Sequence, residues 1–212
     1  MEYFNNNHNA TIVMHIIAAI RANKVYLSDI DGLIGDGDHG INMNKGFSMA
    51  GERISADQSF ATAMKLVGDA LLLEVGGSMG PIYGTFFYKC AAAVKDKPEI
   101  NAVLFSQMLH AALEGVKEVG GAQVGDKTLI DTMQPAAVVF EKERANGKTF
   151  KEALASATDA AEAGKESTKD MIAKVGRAAR LGERSIGVLD AGATSCYIIL
   201  KAMFESVTSV LI

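Results

Sequence analysis

The chain has 212 residues, 49% of them hydrophobic but only 7% aromatic, with no tryptophan, three prolines and a net charge of −4. A core of Ala, Leu, Ile, Val and Met with so little proline points to helices, and the mild acidity without a basic block excludes DNA and RNA as partners. Cys90 and Cys196, far apart in apolar stretches, exclude a zinc or disulfide framework, and no segment reads as a secretory signal or as a membrane span of about 20 apolar residues, so a soluble cytoplasmic protein is expected.

In chain order, a first helix starts after Asn9, a candidate N-cap, and runs to about Lys24, with Ile12, Ile16 and Ile20 recurring at helical spacing. The stretch YLSDIDGLIGDGDHG, residues 26–40, reads as an Asp- and Gly-rich loop. A second helix follows from about Ile41 to Ile54, and a third from an Asp57 cap to about Glu74. VGGSMGP breaks the chain before Pro81, whose fixed φ suits a first helical turn, opens a fourth helix to about Val94. KDKPEIN is a polar connector. Helix five covers about Ala102 to Val119, GGAQVGD separates it from helix six at about Lys127 to Asn146, and Thr149 caps a seventh helix reaching about Ile172. VGRAARLGERSIGVLDAG then leads to helix eight, Ala193 to Leu211. No stretch alternates long enough to demand a strand, although SIGVL is a candidate for locally extended chain.

Eight helices with short links describe an all-α, antiparallel up-and-down bundle, a single domain over residues 1–212. The links are of two kinds. Those at 28–40, 75–80, 120–126 and 176–192 are rich in glycine and follow helices one, three, five and seven, whereas ISAD, KDKPEI and NGKT follow helices two, four and six. Alternate links of an antiparallel bundle lie at the same end. Helix counting therefore gathers the glycine-rich links on one face, which becomes the expected site.

GDGDHG, residues 35–40, fits the dinucleotide pattern G-x-G-x-x-G, but YLSDIDGLI is too polar for the buried strand that must precede it, and no second strand with an acidic end follows. As a calcium loop starting at Asp36 it has Gly40 at position 5 and Phe47 at position 12, where a bidentate glutamate belongs. NGKT and GDKT lack the first glycine and the spacing of a phosphate-binding Walker loop. What remains is three carboxylates, Asp31, Asp36 and Asp38, beside a helix start. Three acids so close repel unless a cation sits among them; hard oxygen ligands suit Mg²⁺, and a helix N-terminus favours an anion.

The other links on that face add to this reading. GGSMG offers close backbone approach and the Ser78 hydroxyl, GDKT supplies Lys127 and Thr128, GRAARLGERS brings Arg177, Arg180 and Arg184, and DAGATS places Asp190, Thr194 and Ser195 at a helix start. Each alone is a cap or a solvated charge. Together they describe a metal–nucleotide pocket, in which arginine offsets charge on a phosphoryl group in transfer.

IGDGDHGINMNKGF, GGSMGPIYGTFF, VGDKTLIDTMQPA and GRAARLGERSIGVLDAGATS, four blocks in order between about residue 10 and the C-terminus, resemble the nucleotide-binding L subunits of dihydroxyacetone kinases. The resemblance implies an eight-helix antiparallel barrel with the nucleotide at one rim. It implies that Asp31, Asp36 and Asp38 bind two Mg²⁺ ions bridging the phosphates of ADP or ATP, and that His39, Gly40, Ile41 and Asn42 contact those phosphates. Ser78 and Met79 would lie against the nucleotide and Gly120 and Leu129 near the adenine. Arg177 would close over it with Asp190, Ala191 and Gly192, in a lid covering about 173–192. The catalytic contacts to phosphate would come from Arg177 and His39.

The resemblance further implies two partners: a K subunit holding dihydroxyacetone through a histidine, and a phosphorylated M subunit that recharges the bound ADP. A homodimer stays open. In two places the pattern departs from the family: Met79 stands where a serine is usual, with the hydroxyl moved to Ser78, and Ala191 replaces a proline. The alternatives are a subunit of an ATP-dependent kinase for another ketose such as erythrulose, and a non-catalytic regulator that binds Mg-nucleotide. His15 and His110 are expected mid-helix without a role, His8 in a frayed tail, and Met43, Met49, Met64 and Met108 in the core.

Overall fold

The computed structural model describes residues 2–212. Two short strands, β1 (Tyr3–Asn5) and β2 (Glu99–Asn101), accompany nine α-helices among the described residues: α1 (Ala10–Ala22), α2 (Lys24–Ile34), α3 (His39–Gly51), α4 (Phe60–Glu74), α5 (Met79–Val94), α6 (Ala102–Gly120), α7 (Ile130–Ala145), α8 (Phe150–Ser167) and α9 (Ala191–Val210). Eight of them form a ring in which α1 packs on α3, each of α3 to α8 packs on the next in sequence, and α9 closes back onto α1. Short links between packed neighbours make the ring antiparallel. The eight-helix arrangement thus matches the expectation, with α2 added outside it.

That addition corrects the reading of residues 26–40 as a loop. Asp29, Asp31 and Gly32 are poor helix formers, but Leu27, Ile30 and Ile34 fall on one face and are buried, with α2 packed against α3 and α9. Tertiary packing overrides propensity here. The contact with α3 is close enough to demand glycine, since a Cβ on Gly40 would collide with the Lys24 carbonyl and approach the Ser28 nitrogen to 2.8 Å.

Helix boundaries follow their caps. Thr149 and Glu152 form a reciprocal capping box at the start of α8, and Asp190 and Asn101 cap α9 and α6 through the third backbone N–H. Asp57 is not a cap: Ser59 accepts from Thr62 N–H at 3.1 Å, and α4 begins at Phe60. Asn9 occupies the cap position of α1 but spends its amide on the Asn5 carbonyl. Inside α7, Pro135 has no N–H for the Asp131 carbonyl, and α8 approaches that carbonyl at Gly164, where a Cβ would strike it.

The end of the ring with the plain polar links is closed. β1 pairs antiparallel with β2, so the N-terminal segment expected to fray is stitched in. Asn6 is 2% exposed; its amide donates to the Val94 and Lys97 carbonyls, and its oxygen accepts from Ala61 N–H. Phe4, wholly buried, plugs this end against Phe60, Phe105 and Phe150 with ring centroids 5.5 to 6.5 Å apart. No single helix among the described residues is long and apolar enough to cross a membrane. SIGVL forms no strand, and its Ser185 ends a 3₁₀ segment.

Candidate functional site

The opposite end opens into a cavity of about 620 Å³, and residues from all four glycine-rich links line it. Because alternate helices begin at this end, the starts of α3, α5, α7 and α9 all border the space, each bringing the positive end of its dipole. An anion is the matching ligand. Ile82, Val116 and Ala122 supply an apolar wall on one side, as a ring system requires.

Across from that wall stand the three acids. Asp31 projects from the last turn of α2, Asp36 lies in the following link, and Asp38 sits at the N-cap position of α3 without capping it. One carboxylate oxygen from each lies within 4.8 Å of the others. The Asp31 carboxylate also accepts the His39 N–H at 3.3 Å, which fixes one acid to the helix start. Burial, then the neighbouring Asp36, push the Asp38 carboxyl above its usual range. Like charges this close repel, and a divalent cation among them would relieve the repulsion. Arg177 reaches in from the 173–192 segment and pairs with Asp36, bringing positive charge to the same spot.

His39 is fixed through its ring. Its Nε2 is 2.8 Å from Ser195 Oγ, which is 2.6 Å from Tyr83 Oη, and Tyr83 donates to the Gly192 carbonyl at 2.9 Å. The Gly192 carbonyl only accepts, and both Tyr83 Oη and Ser195 Oγ are within reach to donate to it, while the tautomer of the His39 ring sets whether Nε2 donates to Ser195 or accepts from it. Burial lowers the His39 pKa against the pull of Asp31, which favours the neutral ring.

The loop between α6 and α7 is held from beneath. Asp131, 1% exposed, accepts N–H groups from Gly125 at 2.5 Å and Thr128 at 2.7 Å, while Asp126 accepts from Gln123. At the start of α9 Asp190 accepts the Ala193 N–H at 2.6 Å. Its burial pushes the carboxyl up to about 7, the Ala193 N–H and Lys127 pulling it down and Asp131 and Asp31 adding to the rise.

Residues 33–205 match the DAK2 domain. This chain belongs to the DAK2 family. Over 193 residues the DAK2 chain is 39% identical to a Listeria innocua protein named PEP-dependent dihydroxyacetone kinase 2, ADP-binding subunit DhaL, with 89% of each covered. It is 38% identical over 180 residues to the Escherichia coli PEP-dependent dihydroxyacetone kinase ADP-binding subunit DhaL, covering 84% of this chain and 86% of that one. Among solved structures it superposes on the dihydroxyacetone kinase of C. freundii in complex with AMP-PNP and Mg²⁺ with a TM-score of 0.70 and 28% identity. That match covers 93% of this chain but a third of the other, which is much longer.

Within this DAK2 chain most of the residues expected at the site do meet. Asp31, Asp36, Asp38, His39 and Asn42 line one side of the cavity and Ser78, Met79, Gly120 and Leu129 another; Arg177, Asp190, Ala191 and Gly192 complete it. Gly40 and Ile41 are not in the lining: Gly40 is packed against α2, and Ile41 is 53% exposed on the outer face of α3. Arg180 and Arg184 also fall outside it. Lys127 borders the cavity, but its ammonium is turned away and spent on carbonyls. Tyr83 and Asp131 were not anticipated. Nothing in the sequence distinguishes Tyr83 from a core aromatic, and Asp131 reads as an ordinary first-turn acid of its helix.

Proposed function

We propose that this chain is the ADP-binding subunit of a phosphotransferase-dependent dihydroxyacetone kinase. The observation that carries the reading is the trio of carboxylates within 4.8 Å of one another at a rim where four helix starts converge. The donor set fits Mg²⁺, since every ligand atom is a hard carboxylate oxygen and the trio carries more negative charge than it can comfortably hold alone. Asp31, Asp36 and Asp38 would hold two ions. When bound, Mg-ADP supplies a phosphoryl acceptor that becomes a donor once charged.

The chain's own residues then bind and orient. At the start of α3, His39 and Asn42 would contact the phosphates; Ser78 and Met79, at the start of α5, would lie against the nucleotide, with Gly120 and Leu129 near the base. Arg177, on a segment acting as a lid over about 173–192, offsets charge on the group in transit. Removing water from the covered rim strengthens each of these charge interactions. A separate K subunit would hold dihydroxyacetone, and a phosphorylated M subunit would be the phosphoryl donor.

Reconstitution with K and M subunits and the phosphotransferase donor system tests the proposal. Dihydroxyacetone phosphate should form after exhaustive dialysis of the chain, with no nucleotide added. Turnover that needs free ATP and prefers another ketose would favour the erythrulose-type alternative, and no transfer with any partner would leave only the regulator.

A further inference from the structure

Lys127 is 1% exposed, and its φ of 62° places a residue with a side chain in the left-handed region. The strained conformation turns the side chain out of the rim loop and into the base of the neighbouring segment. There Nζ donates to the carbonyls of Ser185 at 2.5 Å, Val188 at 2.7 Å and Met171 at 3.2 Å. An ammonium has three protons and no acceptor, so its capacity is filled. The three carbonyls belong to both ends of one excursion of the chain: Met171 where it leaves α8's side, Ser185 and Val188 where it returns to α9.

Between those ends lies an arm that carries Arg177 to Asp36 and has little else to fix it. Gly176 and Gly182 have positive φ with open space around them, and most of 174–184 is exposed or half-buried. Its ends, by contrast, are tied. Ala173 N–H donates to Ser185 Oγ, Lys174 N–H to the Asp126 carbonyl and Gly187 N–H to the Lys169 carbonyl. Lys127 is the bond common to all of this, and it borders the cavity in a loop braced by Asp131.

We infer that Lys127 is a positioning residue for the transfer reaction, clamping both ends of the Arg177 arm to the rim loop that lines the nucleotide cavity. Its three protons are taken by carbonyls, and none is left for a ligand in the cavity. A point-like ammonium is suited to three converging carbonyls, whereas the planar fork of arginine is built for carboxylates and phosphates. Burial lowers its pKa, with Asp190 and then Asp170 opposing, and the carbonyls take over the role of its water shell. With the ends clamped, motion is confined to the tip of the arm, so Arg177 returns to one register each time it closes. This inference rests on the Mg-nucleotide reading of the site.

The test is stopped-flow binding of N-methylanthraniloyl-ADP with Mg²⁺ to the wild-type chain and to Lys127→Met. The metal-binding aspartates are unchanged, so the association rate should stay within about twofold, while dissociation should accelerate about tenfold or more. Equal dissociation rates would overturn the inference. Hydrogen exchange on the wild-type chain without nucleotide decides independently of folding of the variant and of the site reading. Amides of Ala173, Lys174 and Gly187 should exchange far more slowly than those of 177–183, and exchange of 171–188 as one unit would overturn the clamp. A wild-type chain that ignores the nucleotide but shows the clamped exchange pattern would sink the function proposed above and leave the clamp standing.

Discussion

Asp190 gives a stability prediction with a definite sign. Its carboxyl is held at about 7 in the folded chain against an ordinary value of 3.8. Below about pH 4 it is protonated in both states and contributes no slope. Between the two values the folded chain keeps the proton and the unfolded chain loses it, so raising the pH favours unfolding, by up to about 1.4 kcal/mol per pH unit. Above about 7 it is ionised in both states and the slope vanishes. The full interval amounts to on the order of 4 kcal/mol, an upper bound because relaxation and water reduce the penalty of a buried charge. Asp190→Asn keeps an acceptor oxygen for the Ala193 N–H, so the cap of α9 survives while the titration is removed. Urea unfolding of both chains from pH 4.5 to 7.5 isolates the effect, because the other titrating groups cancel in the difference. The variant's advantage should grow by roughly 3 kcal/mol between pH 4.5 and pH 7. Parallel stability curves would refute the reasoning.

Gly164→Ala should cost about 1–3 kcal/mol in denaturant unfolding, because the new methyl strikes the Asp131 carbonyl that Pro135 leaves without a helical partner. Tyr83→Phe removes the hydroxyl that ends the His39 chain at Gly192; a loss of about 1–2 kcal/mol is expected by the same measurement, with helical circular dichroism unchanged. Arg177→Met, at an exposed position, should leave the melting temperature within a degree or two while lowering the rate of reconstituted phosphoryl transfer by about a thousandfold.

The ring and its open face were legible because they depend on helix count and on where glycine collects, both of which survive errors at individual boundaries. Misreading α2 did no harm to that argument, since α2 falls entirely within the link between α1 and α3. Its own signal was present in Leu27, Ile30 and Ile34, one buried helical stripe, but two aspartates and a glycine in the same stretch masked it. The strands were invisible because three residues cannot show a period, and their pairing joins positions almost a hundred residues apart. The acids of the site were readable as a local cluster. The direction of Lys127 was not, because a sequence lists a cation beside a glycine loop without saying which carbonyls will surround it. Tyr83 and Ser195 come together only when the ring closes and the starts of α5 and α9 face each other across it at the rim.

Calorimetric titration of ADP into the purified chain, stripped of nucleotide, tests the central claim most directly when run with Mg²⁺ and again with excess EDTA. Binding should weaken by about two orders of magnitude without the metal, and Asp36→Ala should behave in Mg²⁺ as the wild type does in EDTA. Equal affinity in the two buffers, or an Asp36→Ala chain that still responds fully to the metal, would contradict it.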